Sequence, residues 1–344
     1  MAFQFCEILV INLSVGWESF INLLYTFYSS NDNKVAQSAG NKLNGSSETI
    51  RENTFYLFLY NYNKLFGTTP KSDERWLNWF IGFVEGDGAI LVHNNACRLV
   101  ITQKETKILE EIKTTLNMGT VKYYYDINGN IKYGRFIVTG IMNIFLLYSL
   151  FNGNLLLSHR ISQLEKWYIV LKNSQKISLS SLHVPELNFK KKNISLDNSW
   201  LSGFTDAEGC FVVNIYKQSG KDYVRLVFRL DQKNEKELLN SVSLLFADKE
   251  LSRLRPTKNG NMYKVEISCN DIKKDTYKKI TNYFDFFKLK TIKHKSYQSW
   301  KTILVMILGN QPLPEAKIKE IRKLRTILNK YIIESNPIGH ANKS

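Results

Sequence analysis

The feature that most constrains the fold is a ten-residue pattern that occurs twice. It reads Trp79-Phe-Ile-Gly-Phe-Val-Glu-Gly-Asp-Gly88 in the first copy and Trp200-Leu-Ser-Gly-Phe-Thr-Asp-Ala-Glu-Gly209 in the second. Each copy predicts an apolar helix that ends in two acidic residues, one position apart, and a glycine. The same series of helix-like and strand-like patterns follows both copies. The chain therefore contains two related halves, and we expect each half to fold as αββαββα.

Small residues recur four positions apart within each predicted helix, as Gly82 and Gly86 in the first and Gly203 and Ala207 in the second. This spacing puts them on one face of a helix, where they let two backbones approach closely. Close packing within each half is the alternative. Because the pattern repeats, we expect the two helices to pack against each other, which brings Asp87 and Glu208 together.

The repeat also predicts the domain organisation. We expect a first half at residues 71–172, a polar linker at 173–199 and a second half at 200–310. Residues 1–70 form an N-terminal extension to which we assign no chemistry. Residues 311–344 form a basic amphipathic helix and tail; we expect the helix to pack on the second half, the alternative being contact with phosphate.

The acids at the two helix ends favour a metal site. A carboxylate at a helix C-terminus opposes the helix dipole and costs roughly 0.3–1 kcal/mol, so it calls for a compensating cation. Oxygen ligands in small number suit Mg²⁺ (or Mn²⁺). The alternative is that Asp87 and Glu208 cap local turns. Glu85 and Asp206 lie about 200° away around the helix, and we expect them to meet backbone donors of the opposite half.

The net charge favours one class of binding partner, and the cysteine content argues against two kinds of structural site. The formal net charge of +16 favours a polyanion, although a solvated basic surface is the bland alternative. The four cysteines are scattered and form no CxxC pair, which argues against a structural zinc site or a disulfide framework.

The two ten-residue patterns resemble the LAGLIDADG motifs of homing endonucleases, of the single-chain type with two motifs, over roughly residues 71–310. The resemblance implies an α+β fold of two pseudo-symmetric halves, with the motif helices at their interface. It also implies a monomer, free of stable membrane association, that cuts both strands of double-stranded DNA at a long pseudo-palindromic site. The gene would lie in a group I intron of a mitochondrion. Two alternatives remain: a maturase that binds the intron RNA, and a regulator with inert motifs.

In such a family the strands of each half form a saddle over the DNA major groove. Val224, Leu226, Phe228 and Leu230 alternate with polar residues, which predicts one buried and one exposed face. Arginine and asparagine suit base edges. The residues that we expect to contact DNA are His93, Asn95, Arg98 and Thr102 in the first half and Asn214, Tyr216, Gln218, Arg225, Arg229 and Asp231 in the second.

The resemblance further assigns Gln103 and Gln232 to positioning the attacking water and Lys290 to the scissile phosphate. Aligning Trp167 with Trp300 sets Leu157 opposite Lys290 and Arg160 opposite Lys293. This asymmetry predicts that the two DNA strands are cut at different rates.

Overall fold

The computed structural model describes residues 55–180, 182–190, 192–250, 253–257, 260–269, 275–308 and 311–335. The chain divides into one unit of Met1–Glu52 and another of Asn53–Ser344, and all described residues lie in the second. Expectations for residues 1–54 therefore lie outside the described part.

The elements of the first half follow the predicted order. They are α1 (Tyr56–Phe66), the motif helix α2 (Glu74–Asp87), β1 (Gly88–His93), β2 (Ala96–Gln103), α3 (Thr106–Leu116), β3 (Thr120–Tyr125), β4 (Ile131–Val138), α4 (Ile141–Phe151) and α5 (Ser158–Lys172). A short helix, α6 (Gln175–Ser178), lies in the segment between the halves. From α2 onward this is the expected αββαββα series.

The second half repeats the series. Its elements are the motif helix α7 (Trp200–Glu208), β5 (Gly209–Gln218), β6 (Lys221–Lys233), α8 (Lys236–Ala247), β7 (Arg253–Thr257), β8 (Gly260–Ser268), α9 (Thr276–Phe286), α10 (Lys293–Ile307) and α11 (Glu315–Ser335). The antiparallel sheets have matching strand orders, β1-β2-β4-β3 and β5-β6-β8-β7. The prediction of an α+β fold with two pseudo-symmetric halves is confirmed.

The two motif helices pack directly against each other. A Cβ atom built on Gly82 would overlap the main-chain oxygen of Trp200, and one built on Gly203 would overlap that of Trp79. The absent side chains thus let the backbones touch, as the spacing predicts. The contact is reciprocal, because each glycine lies against the tryptophan that begins the other motif.

The strand alternation places one face of each sheet in the core. In β6, Val224, Leu226, Phe228 and Leu230 are all fully buried. Phe284 of α9 packs against Phe228, and Trp300 of α10 packs against Phe211 of the neighbouring strand β5. The other face of each sheet carries the polar residues. A buried face of aliphatic and aromatic residues fixes the strand register, because a shift by one residue would expose all of them.

Helix α1 joins the core of the first half. Phe58 and Tyr62 are buried, and the Tyr62 hydroxyl donates a hydrogen bond to the main-chain oxygen of Leu116 at 3.1 Å. The domain boundary expected at residue 71 would exclude this helix, although its side chains form part of the core of the first half. We therefore propose that the first half begins near Phe55.

Two further segments pack on the halves. In the segment between them, Ile177 is buried and Pro185 accepts a hydrogen bond from the Tyr148 hydroxyl at 2.8 Å. Helix α11 packs on α10, with Ile318 and Ile321 fully buried. Among the described helices, none is long and apolar enough to span a membrane.

Candidate functional site

The two motif acids meet where the helices end. Asp87 is the last residue of α2, and Glu208 is the last residue of α7. Between them the helices are in contact at Gly86 and Ala207, and a Cβ atom on Gly86 would lie 3.2 Å from Cγ of Glu208. Small residues at the crossing therefore bring the two carboxyl groups to one place.

The site is short of positive charge at its centre. Burial, and after it the neighbouring carboxylate of Asp87, raise the pKa of Glu208 to about 8. Lys293 and Arg160 act in the opposite direction, but they do not cancel the effect. Two carboxylates in a medium of low dielectric repel each other strongly. A cation between them would offset both the repulsion between the carboxylates and the cost of burying their charge.

The donor set fits a hard divalent cation. It offers carboxylate oxygens and neither thiolate nor imidazole, which suits Mg²⁺ better than Zn²⁺. In the part of the chain that the structure describes, no cluster of three or more His, Cys, Asp and Glu side chains could hold a metal. The remaining positions around such an ion would therefore fall to water and to oxygens of a bound substrate.

Two cations flank the acids in matching positions. The Arg160 guanidinium donates from Nε to the main-chain oxygen of Glu85 at 3.0 Å and from Nη2 to that of Gly86 at 3.1 Å. The Lys293 ammonium donates to the main-chain oxygens of Thr205 at 3.2 Å and Ala207 at 2.6 Å. Each cation thus binds the carbonyl groups at the end of its own motif helix, where cations are favoured.

The structure corrects the expectation for Lys290. Its Nζ atom forms an ion pair with Oε1 of Glu111 at 3.1 Å and lies 5.5 Å from the centre of the Trp79 ring. The loop before α10 directs Lys290 there, whereas Lys293, at the start of the helix, turns toward the acids. The main-chain amides of Leu157 and Thr291 each bind the buried motif acid of their own half. The asymmetry expected between Leu157 and Lys290, and with it the unequal cleavage of the two strands, stays a prediction.

The predicted glutamines lie at the ends of equivalent strands. The Gln103 side-chain amide donates a hydrogen bond to Oδ2 of Asp87, which ties β2 to the end of the motif helix. Gln232 is buried in β6, opposite Tyr263 of β8. Its neighbour Asp231 lies close enough to Glu208 to raise the pKa of that residue.

The first acid of each motif is buried, and both of its carboxylate oxygens accept hydrogen bonds. Oε1 of Glu85 accepts from the main-chain amides of Leu156 at 2.8 Å and Leu157 at 2.7 Å, and Oε2 accepts from the Trp200 indole at 2.6 Å.

Asp206 of the second motif has the same arrangement. It accepts from the main-chain amides of Lys290 at 2.8 Å and Thr291 at 3.2 Å and from the Trp79 indole at 2.8 Å. We expected the opposite half to supply backbone donors to these two acids. The backbone donors instead come from the acid's own half, and the opposite half supplies a tryptophan.

The exposed face of the second sheet carries the polar residues that we predicted. Asn214 pairs with Arg225 across β5 and β6, and Gln218 pairs with Lys221. Tyr216 stacks on Tyr223, with ring centres 5.8 Å apart. Arg229 forms an ion pair with Asp231 at 3.2 Å. Lys264 and Glu266 of β8, which were not predicted from the sequence, extend this face.

In the first sheet, His93, Arg98 and Thr102 lie on the exposed face, with Arg98 opposite Leu91. Asn95 does not: β1 ends at His93, and Asn95 lies in the hairpin turn with φ of 56°. Asparagine tolerates this left-handed conformation well.

Arg135, which was not predicted from the sequence either, faces Thr102 across β2 and β4. Its guanidinium lies 5.0 Å from the Tyr124 ring centre and 5.4 Å from that of Tyr133. Alternation in β4 was the signal that could have found it.

The chain is similar to endonucleases encoded in introns. The family model described as LAGLIDADG endonuclease matches residues 201–304. A probable intron-encoded endonuclease 4 of Neurospora crassa is 29% identical over 300 residues, which cover 86% of this chain and 49% of that protein. The chain thus spans about half the length of this relative. An uncharacterized cox1 intron-2 protein of Schizosaccharomyces pombe is 27% identical, with 84% of each chain covered.

Solved structures share the fold. The meganuclease I-SmaMI, bound to uncleaveable DNA, matches with a TM-score of 0.56 at 18% identity, over 75% of this chain and 100% of the other. The LAGLIDADG homing endonuclease I-GzeII, in complex with its DNA target, matches with a TM-score of 0.53 at 22% identity, over 74% of this chain and 98% of the other. With two motif helices that meet at their acidic ends, the chain has the fold of these endonucleases, and its second half matches the LAGLIDADG endonuclease family model.

Proposed function

We propose that the chain is a site-specific endonuclease that breaks both strands of DNA by divalent-metal-assisted hydrolysis and so promotes mobility of its intron. The observation that carries this proposal is the convergence of Asp87 and Glu208 at the interface of two halves whose exposed sheet faces carry arginine and other polar side chains. A related protein of Saccharomyces cerevisiae, 23% identical over 306 residues, is named an intron-encoded DNA endonuclease.

Each group at the site has a distinct task in this proposal. Asp87 and Glu208 bind Mg²⁺ (or Mn²⁺), which when bound polarises a phosphoryl oxygen and lowers the pKa of a coordinated water. Gln103 and Gln232 orient the attacking water. Arg160 and Lys293 hold positive charge beside the acids, where it stabilises negative charge that builds up on the phosphate.

The sheet faces recognise the DNA. In the second half, Arg225 and Asn214 are neighbours and can each bind two atoms of one base edge in the major groove, Arg to guanine and Asn to adenine. In the first half, Arg98, Arg135 and Thr102 serve the same purpose. Lysines at the edges of the sheets bind phosphates and contribute affinity without selectivity.

One chain carries both halves of the site, which supports a monomer acting on a long pseudo-palindromic sequence. Relatives with cox1 in their names support an origin in a mitochondrial intron. Binding of the intron RNA would use the same basic surface, but it needs neither Asp87 nor Glu208. The convergent pair of acids therefore favours the nuclease over the maturase.

The test is cleavage of the DNA that flanks the gene. A duplex that joins the two exons without the intron, with each strand labelled separately, is incubated with the purified chain and Mg²⁺. We expect a double-strand break near the junction, and none in the duplex interrupted by the intron. Binding of the intron RNA without cleavage of either duplex would instead support the maturase.

A further inference from the structure

The two buried motif acids connect each half to a tryptophan of the other. The Trp200 indole donates to Glu85, and the Trp79 indole donates to Asp206. All four side chains are almost wholly buried. The two contacts are equivalent by the pseudo-symmetry of the molecule, although the acids differ in length. Because both halves keep this acid–indole hydrogen bond although one acid is Glu and the other Asp, we infer that the hydrogen bond has a role besides packing.

Each of these acids also fixes the loop that carries a cation of the site. Glu85 binds the amides of Leu156 and Leu157, four and three residues before Arg160. Asp206 binds the amides of Lys290 and Thr291, three and two residues before Lys293. One carboxylate thus bridges a tryptophan of the opposite half and the segment that leads into the helix with the cation.

We propose that Trp79 and Trp200 are positioning residues that act across the interface, with Trp79 setting the place of Lys293 through Asp206 and Trp200 setting the place of Arg160 through Glu85. The proposal rests on the proposed nuclease function, in which both cations lie beside the acids. Each half would then be fully organised only when the other half is docked on it, which couples cleavage of the two strands.

The chemistry of the contacts explains why the indole matters. Glu85 is fully buried, and among the described residues its oxygens accept hydrogen bonds from the two amides and the indole. A buried carboxylate is costly unless its oxygens are hydrogen-bonded, so Glu85 depends on each of these donors. Without the indole, the carboxylate must move to find another donor. The loop amides that it holds would move with it.

The test uses Trp79→Phe and Trp200→Phe, which keep a buried ring but remove the N–H donor. Each strand of the target duplex is labelled, and single-turnover rates are measured at saturating enzyme. Trp79→Phe should slow cleavage of the strand cut beside Glu208 by about tenfold and leave the other strand little changed, because a hydrogen bond to a buried charge is lost at one site only. Trp200→Phe should show the opposite strand preference.

Trp300→Phe is the matched control. Trp300 is also fully buried, but its indole N–H has no hydrogen-bond partner among the described residues. This variant should lower stability without favouring either strand. Equal slowing of both strands by Trp79→Phe and by Trp200→Phe would mean that the tryptophans only stabilise the fold, and it would overturn the proposal.

A double-mutant cycle tests the path of the effect. After Lys293→Ala, the further change Trp79→Phe should cost little, because both act on one cation. After Arg160→Ala, Trp79→Phe should keep its full effect, about tenfold. Additive effects in both backgrounds would rule out the assigned path.

A second measurement does not depend on cleavage. Lys293 is only 9% exposed, so its acetylation by a water-soluble reagent should be slow in the native chain. Trp79→Phe should speed labelling of Lys293 about tenfold, whereas Trp200→Phe should not, because only the first indole is linked to it. If the native chain fails to cut DNA, the proposed function fails while this result still decides the positioning. Equal labelling of Lys293 in both variants would refute it.

Discussion

Asp87 and Glu208 differ by one methylene group, yet both reach the same place because the helices cross at Gly86 and Ala207. Asp87→Asn and Glu208→Gln keep the size of the side chain and remove its charge. We expect either change to abolish double-strand cleavage and to leave DNA binding nearly intact, because the sheet faces are unaltered. Cleavage in Mg²⁺ and gel-shift binding in Ca²⁺ measure the two properties. Asp197→Asn, on the exposed linker, is the control. Full activity in both motif variants would exclude the metal assignment.

Lys290 and Lys293 are three residues apart and have different partners. Lys293 donates to the end of α7 beside Glu208, whereas Lys290 pairs with Glu111. Lys293→Met should therefore slow cleavage by about 10²-fold, which is the usual effect of removing a group that stabilises transition-state charge. Lys290→Met should change the rate only slightly. Single-turnover cleavage of both variants decides the matter, and a larger loss in Lys290→Met would restore the assignment that the sequence suggested.

The residues of the site could be predicted to different degrees. Asp87 and Glu208 were recognisable because the repeat marks them twice. The side-chain direction of Lys290 was not, since it depends on where α10 begins. The partners of Glu85 lie 71 to 115 residues away along the chain. No local sequence pattern predicts hydrogen bonds between residues so far apart in the sequence, because these bonds form only when the halves pack together.

At the level of elements, the crossing of the motif helices has room for one methyl group at Gly86 and Ala207. Gly86→Ala would place two Cβ atoms in overlap, and we expect a loss of about 1–3 kcal/mol in the free energy of unfolding. The double variant Gly86→Ala with Ala207→Gly moves the single methyl group from one helix to the other. It should recover most of the loss, as measured by urea unfolding. No recovery in the double variant would show that the helices do not meet at this point.

The strands were more predictable than the boundaries of the halves. Alternation along β6 gave the buried and exposed faces correctly, because a sheet covered on one side must alternate. Asn95 was expected on the DNA-contacting face because it lies two residues after His93, but Asn94 and Asn95 both adopt positive φ in the hairpin turn. Helix α1 was assigned to the extension for a related reason: it has no counterpart before Trp200, so the repeat could not include it. Its contacts with α4 and Leu116 exist only in the folded half.

At the level of the whole molecule, the packing of α1 changes what truncation should do. A chain that begins at Asn53 keeps Phe58 and Tyr62 in the core, and we expect it to unfold at about the same temperature as the longer chain. A chain that begins at Lys71 loses both rings, and deleting even one buried aromatic side chain costs about 3–5 kcal/mol. It should unfold at a much lower temperature. Equal unfolding temperatures for the two shortened chains would return the boundary to residue 71.

The net charge of +16 belongs to the molecule as a whole and predicts how binding responds to salt. A protein that neutralises phosphates releases counterions, so the logarithm of the affinity falls with the logarithm of the salt concentration by about 0.9 per phosphate contacted. Replacing a lysine that binds phosphate should reduce this slope by about one contact and weaken all sequences alike.

Replacing a residue that reads bases should instead relax the sequence preference. Arg225→Ala removes a side chain at the centre of the exposed sheet face, next to Asn214. Lys221→Ala removes one at the far end of the same strand, opposite Gln218. We expect Lys221→Ala to lower the salt slope and keep the preference for the target, and Arg225→Ala to lose about 1–3 kcal/mol of discrimination at one base pair. Fluorescence anisotropy with target and scrambled duplexes at several salt concentrations separates the two effects. If both variants lower the slope and neither alters the preference, the sheet face binds only the phosphate backbone, and recognition of the target must reside elsewhere in the chain.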